Sequence, residues 1–213
     1  MLREVVTNEW FTILFVLSLI LLAFAKFSFA NRFSDFFMVI GSSRYLKIYV
    51  KEQKFIDLFD ALLFTNLIIS ASIFGIIAYN TLVAPISFDI ALLLKVLLSV
   101  GTIILIKVLV ERLIGSLFEI DQLIDDYLFQ KTNYKNYLGL ILLPINILLV
   151  YTLEPTKILI YIVLLFLFIV NMIGFITTLK TYQNTILNNM FYFILYLCAL
   201  EIGPYLILYK LLT

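Results

Sequence analysis

Long apolar runs alternate with short polar segments along most of this chain. A helix that crosses a bilayer needs about 20 apolar residues, and five runs reach or nearly reach that length, while a sixth is shorter. The predicted spans are residues 10–30, 57–79, 88–113, 137–153, 158–179 and 186–211. The short run is 137–153, and because it also contains Pro144, the count is five or six spans. The pattern predicts an all-α, polytopic transmembrane helical bundle.

The polar segment at residues 31–55 has a helical pattern of its own. Its basic residues include Arg44, Lys47, Lys51 and Lys54. Their spacing of three, four and three places them on one face of a helix. We expect an amphipathic helix on the cytoplasmic leaflet, with Phe33, Phe36 and Phe37 toward the membrane and the basic face toward anionic headgroups. A solvated basic loop is the alternative interpretation.

Basic residues outside the apolar runs indicate the orientation, because cytoplasmic loops are enriched in Lys and Arg. Segment 31–55, the connection that carries Lys131 and Lys135, and the turn that begins at Lys180 are therefore expected on the cytoplasmic side. Both termini are expected on the opposite side. Since no linker, internal repeat or soluble domain is recognisable, residues 1–213 form a single predicted integral membrane domain.

Composition supports this class and limits the chemistry. Hydrophobic residues make up 63% of the 213 positions and charged residues 14%, whereas about a quarter of the residues of a soluble domain are charged. The net charge of +1 gives no indication of nucleic-acid binding. The absence of histidine excludes His-based metal sites and His-activated nucleophiles. The sequence predicts no catalytic residue, metal or cofactor, and an enzyme is not expected.

Charged residues inside the predicted spans are the candidate site. Each costs roughly 2.5–3.5 kcal/mol at the centre of a bilayer and should face the bundle interior and be paired. Lys107 and Glu111 are four apart in the third span and share one face. Glu111 and Arg112 lie near its cytoplasmic end, where they are expected to reach the interface. Glu201, the deepest charge, is expected to pair with Lys107 or Arg112.

The surroundings of Glu201 suggest a polar network at a bend in the last span. Pro204 has no amide to donate to the preceding turn, and Gly203 loosens it, so a helix kink is expected there. The hydroxyl of Tyr205, four residues after Glu201, is an alternative partner for the carboxylate. Whether Glu201 is a structural staple or a group that titrates during function stays open.

Other polar and small residues within the apolar runs are expected to lie between helices. Those expected to line the interior of the second span are Asn66, Ser70, Ser72 and Gly75. Ala71 and Gly75 form a small-x-x-x-small pattern that allows close helix packing. Asn146 and Asn171 are expected to form interhelical hydrogen bonds. The acidic segment after the third span is expected to be a solvated helix face, with Leu123, Ile124, Leu128 and Phe129 packed inward.

Three stretches, NRFSDFF, RYLKIYVK and FILYLCALEIGPYLILYK, resemble an uncharacterised family of Bacteroidota inner-membrane proteins known as a domain of unknown function. The Leu-Glu-Ile-x-Pro core, in which Gly203 is the variable residue, is the most specific part. The resemblance extends over nearly the whole chain. It implies a multi-pass protein of the bacterial cytoplasmic membrane and assigns no role to any residue.

Two classes of function are compatible with these features. The first is a non-catalytic subunit or assembly factor of an envelope complex. The second is a small transporter or lipid-handling protein that uses a buried Glu201 and Lys107 site. The expected partners are anionic lipid headgroups at the cytoplasmic face and a membrane protein, and nucleic acid is not expected.

Overall fold

A computed structural model describes residues 9–38, 49, 57–84, 89–118 and 121–181. The helices of this part are α1 (Glu9–Ser28), α2 (Ala30–Phe37), α3 (Leu58–Leu82), α4 (Ile90–Leu117), α5 (Asp121–Tyr151) and α6 (Lys157–Thr181). These ranges contain no strand. Five of the helices, all except α2, are long and apolar enough to cross a membrane. The predicted all-α polytopic bundle is confirmed, and the predicted span 186–211 lies outside the described residues.

The length of α5 differs most from the prediction. The sequence predicts a short span at 137–153, but α5 has 31 residues and continues through Pro144. At about 1.5 Å per residue it is roughly 46 Å long, which exceeds the ~30 Å hydrocarbon core. The amphipathic segment before the predicted span belongs to the same helix, because Asp125 and Lys131 bind α4 and its apolar side chains are buried. Ile124, Leu128 and Phe129 are buried as expected.

A bend at Phe29 connects α1 to α2. The backbone of Phe29 is non-helical (φ −132°, ψ 50°), although its amide still donates to the Ala25 carbonyl at 3.0 Å. Phe36 on α2 is completely buried, and its ring centroid lies 5.9 Å from those of Phe59 and Tyr137. Phe36 therefore packs against the bundle and not against lipid, contrary to the expectation for segment 31–55. The aromatic rings of α3 and α5 provide the apolar surface that it covers.

Helices α3 and α5 are in close contact. A Cβ atom added to Gly139 would lie 2.6 Å from the Cα atom of Leu67, so only glycine allows this approach. Further along the same pair, the side-chain amide of Asn146 donates to the Ser70 carbonyl at 2.8 Å. This is the interhelical hydrogen bond expected for Asn146. Since lipid tails are as apolar as the helices, such packing and hydrogen bonds hold membrane helices together.

Gly75 does not have the packing role expected of it. It is exposed, and a Cβ atom added there would meet no atom within 4 Å. Asn66, Ser70 and Ser72 are completely buried as expected, but Gly75 lies outside the arc of α3 that they occupy. The close packing of α3 therefore depends on the glycine of its neighbour α5. Asn171 on α6 is exposed within the described part of the bundle.

Replacing Gly139 with Ala is expected to lower the free energy of unfolding by about 1–3 kcal/mol, because the new methyl group would overlap the backbone of α3. Gly75→Ala is the matched control. Each substitution removes a glycine from a helix interior, which alone favours the helix by about 1 kcal/mol, and Gly75 has open space around it. Unfolding of the detergent-solubilised protein by SDS, followed by circular dichroism, measures both. Equal stability of the two variants would contradict the close contact.

Candidate functional site

A buried ion pair joins α4 to α5. The side chain of Glu111 is 0% exposed, and its Oε1 atom lies 2.6 Å from Nζ of Lys131, which is 14% exposed. One turn further along α4, Gly115 lets Ile124 of α5 approach to 2.9 Å from where a Cβ atom would be. The two helices are thus close enough for a direct salt bridge. A carboxylate that is completely buried requires such a partner, because an unpaired buried charge is costly.

Lys107 and Arg112 contact different carboxylates. Lys107 Nζ lies 3.9 Å from the same Oε1 atom of Glu111, across the i, i+4 spacing. Arg112 Nε lies 3.3 Å from Oδ1 of Asp125, and both of these side chains are more than a third exposed. Glu111 is therefore buried between the helices, where Lys131 of α5 binds it. Its expected position near the membrane interface stays a prediction. The next residue, Arg112, is turned by about 100° around the helix axis and points to a more exposed surface.

Most of the other predicted site residues lie outside the described residues: Glu201, Gly203, Pro204, Tyr205, Arg44, Lys47, Lys51 and Lys54. The expected contact of Glu201 with Lys107 or Arg112 stays a prediction. The same applies to the helix kink and to the basic face. Of the predicted polar network, the described part contains Lys107, Glu111 and Arg112. The ammonium group of Lys107 lies 3.9 Å from a carboxylate oxygen of Glu111.

A second cluster of charges fastens α2 to the start of α3. Arg32 donates to the carboxylate of Asp57 and, through Nη2, to Oδ2 of Asp60 at 3.0 Å. Its guanidinium also lies 4.7 Å from the centre of the Phe59 ring. Asp57 is the N-cap of α3 and accepts the Phe59 amide at 3.4 Å. Arg32 thus binds two acidic residues where the helix dipole already stabilises negative charge. We call these three charged residues the Arg32 clamp.

Besides Asn146, three amide side chains in the described part are completely buried: Asn66 on α3, and Gln130 and Asn136 on α5. Among the described residues, none of their side-chain nitrogen or oxygen atoms has a hydrogen-bond partner. Leaving such a group unsatisfied costs roughly 1–3 kcal/mol, and buried water commonly binds groups of this kind. These amides make parts of the bundle interior suitable for water or a small polar molecule.

Sequence reasoning placed Lys131 and Arg32 in loops and so missed both clusters. The sequence nevertheless contains a pattern that indicates each cluster. If 121–151 is taken as one helix, Lys131 falls on the same face as Ile124 and Leu128, which predicts that it is buried. For Arg32, the signal is the pair of acidic residues at the start of the second span, three positions apart, which a cation on a neighbouring segment can bind together.

The described charges form ion pairs between helices. Within the described ranges, no group of three His, Cys, Asp or Glu side chains is close enough to hold a metal ion. Apolar helices joined by buried ion pairs and close glycine contacts define an all-α, multi-pass membrane protein. The chain belongs to the family named for its domain of unknown function (DUF4271), whose model matches residues 11–212. No curated protein and no solved structure matches the chain.

Lys131→Met is expected to lower the free energy of unfolding by about 3–5 kcal/mol, because it leaves the carboxylate of Glu111 buried without its nearest cation. Removing both charges, with Lys131→Met and Glu111→Gln together, should recover most of that loss. Arg112→Gln is the control, since an exposed pair contributes only about 0–1 kcal/mol. SDS unfolding in mixed micelles gives all four stabilities. If Lys131→Met is no less stable than Arg112→Gln, the pair does not stabilise the bundle.

Proposed function

We propose that this protein is a non-catalytic subunit or assembly factor of a complex in the bacterial cell envelope. The observation that supports this is the way its interior charges bind one another, above all Glu111 with Lys131. A transport site has to bind and release its ligand, and such sites are usually built from discontinuous helices. In contrast, α5 continues through Pro144, and its buried cation binds a fixed partner on α4. A bundle fastened in this way suits a scaffold.

The outer face of α4 offers surface for a partner. Only 11% of an 18-residue apolar stretch of α4 is buried inside the bundle. Large apolar side chains such as Leu98 (71% exposed) and Ile103 (66% exposed) project from this helix. In a membrane this face contacts lipid or another transmembrane helix. A subunit role requires a face of this kind, because a partner within the bilayer docks against apolar side chains.

The proposed location is the bacterial cytoplasmic membrane, with both termini in the periplasm. Segment 31–55 would then lie on the cytoplasmic side, where its basic residues Arg44, Lys47, Lys51 and Lys54 contact anionic headgroups or an acidic partner. The Arg32 clamp supports this proposal, because it fixes the beginning of that segment against α3.

A tagged full-length protein, purified in mild detergent from cells that express it at its natural level, is expected to retain a stoichiometric membrane-protein partner. Replacing the four basic residues with Gln should weaken partner or anionic-lipid recovery in a salt-sensitive way, since exposed charges are screened beyond roughly 8 Å at physiological ionic strength. Lys157→Gln, at the exposed start of α6 on the expected periplasmic side, is the control. Recovery of the chain alone would contradict the subunit role.

Reporter fusions test the orientation. A reporter that is active only in the periplasm should give signal at both ends of the chain, and one that is active only in the cytoplasm should give signal when inserted within 39–48. The expected result follows from the basic residues of the polar segments. A cytoplasmic C-terminus would mean that the number of spans is odd.

The buried amides favour a second candidate function, transport of a small polar solute. In that case Asn66, Gln130 and Asn136 would contact water or the solute. Glu201 would supply a titrating carboxylate near Lys107, whereas in the subunit role it is a structural staple. Purified protein in liposomes separates the two, because a carrier moves its solute without a partner and a scaffold does not.

A further inference from the structure

A groove with a volume of about 690 Å³ lies at the junction of α1 and α2. Six of its eight lining residues are apolar, and the two polar ones are Lys26 and Ser34. Lining positions such as Ala23, Phe27 and Ala30 follow one another at steps of three or four, so they form one stripe along the helices. The stripe continues from α1 to α2 through the bend at Phe29, and the groove is the space between its two halves.

The groove opens away from the bundle. On the opposite side of the same two helices, Ala25 and Phe36 are completely buried against α3 and α5. On the groove side, the rings of Phe27 and Phe37 are 88% and 51% exposed. The groove is therefore accessible to whatever surrounds the protein at this end of α1.

The shape of the groove is set before any ligand binds. A helix of eight residues such as α2 is not stable in isolation. Here the Arg32 clamp and the buried ring of Phe36 hold it against α3. A preformed site binds its ligand more tightly, because less ordering is required on binding.

A positive charge, that of Lys26, lies at one end of the groove. Lys26 is exposed in the last turn of α1, and the end of a spanning helix is where a lysine reaches the headgroup layer. Within the described residues no carboxylate lies within ion-pair distance of its ammonium group. The hydroxyl of Ser34 lines the same groove and is a hydrogen-bond donor. An apolar slot with a cation and a hydroxyl suits a molecule with one long apolar part and one anionic part.

We propose that this groove binds one anionic phospholipid of the surrounding membrane. An acyl chain lies along the walls formed by Phe27 and Phe37, and the phosphate contacts Lys26 and Ser34. The volume falls within the range of roughly 300–1,000 Å³ found for small-molecule sites. The apolar walls alone would suit a partner helix, but the exposed Lys26 at one end of the groove favours a lipid, because every anionic phospholipid carries a phosphate next to its acyl chains. The site does not depend on the subunit role proposed above.

The test uses protein in lipid nanodiscs that contain phosphatidylglycerol or phosphatidylcholine with a photoreactive diazirine on one acyl chain. After illumination, mass spectrometry locates the labelled residues. Labelling of 23–38 is expected to be stronger with phosphatidylglycerol. Lys26→Gln should reduce the phosphatidylglycerol signal about fivefold, the effect of roughly one near-surface charge. Ala30→Trp, which fills the groove from an exposed position, should reduce the signal of both lipids.

Two matched controls are available in the chain. Lys180→Gln removes another exposed lysine from the last turn of a span, and Leu98→Trp adds a tryptophan to an exposed face of α4. Neither should change labelling of 23–38. If Ala30→Trp does not elute as a monodisperse helical protein, Ala23→Leu takes its place. Labelling of 23–38 that Lys26→Gln leaves unchanged, or that is equally strong with phosphatidylcholine and phosphatidylglycerol, would overturn the proposal.

Discussion

The contact between α3 and α5 is the interaction on which the rest of the bundle depends. In water, burial of the apolar faces would drive these helices together, but in a bilayer lipid tails cover the same faces equally well. Here the helices are held together by the close packing of Gly139 against Leu67 and by the hydrogen bond from Asn146 to the Ser70 carbonyl. Because α5 also packs against α4 and α6, its position relative to α3 determines where the other helices can lie.

Charge then fixes how α4 sits against α5. A buried carboxylate in a medium of low dielectric constant is stable only beside a cation. Few positions of α4 are therefore favourable other than the one that brings Glu111 to Lys131. The neighbouring pair, Arg112 with Asp125, is partly exposed and constrains the helices far less. Between α5 and α6, Tyr134 packs into the space left by Gly174 of α6. Polar and small residues thus specify an arrangement that apolar residues alone would leave undetermined.

The class of fold could be predicted from the sequence because it depends on run length and composition alone. The apolar runs at 10–30, 57–79, 88–113 and 158–179 correspond to α1, α3, α4 and α6 to within a few residues. The span at 137–153 was predicted too short, since the polar residues of the first half of α5 lower its hydropathy although they face protein. Hydropathy measures compatibility with lipid, and it carries no information about a helix that other helices surround.

The candidate site was harder to predict, because its partners come from different helices. The spacing of Lys107 and Glu111 indicates a local pair, and the structure places their charged atoms 3.9 Å apart. Lys131 is 20 residues further along the chain, and nothing in the local pattern shows that it lies nearer to Glu111 than Lys107 does. Gly75 and Gly139 also show that a local sequence pattern does not identify the contacts between helices. Gly75 belongs to a recognisable small-residue motif and is exposed, whereas Gly139 belongs to none and packs against the backbone of Leu67.

These constraints bear on what the bundle can do. Separate contacts attach α3, α4 and α6 to α5, so any movement of one of them against another must break a contact with α5. Alternating access requires one group of helices to rock against the rest. Such rocking would separate Lys131 from Glu111 or Leu67 from Gly139, and the first of these changes leaves the buried carboxylate of Glu111 without its nearest cation. The central helix of this protein is therefore better suited to keeping a fixed shape than to cycling between two.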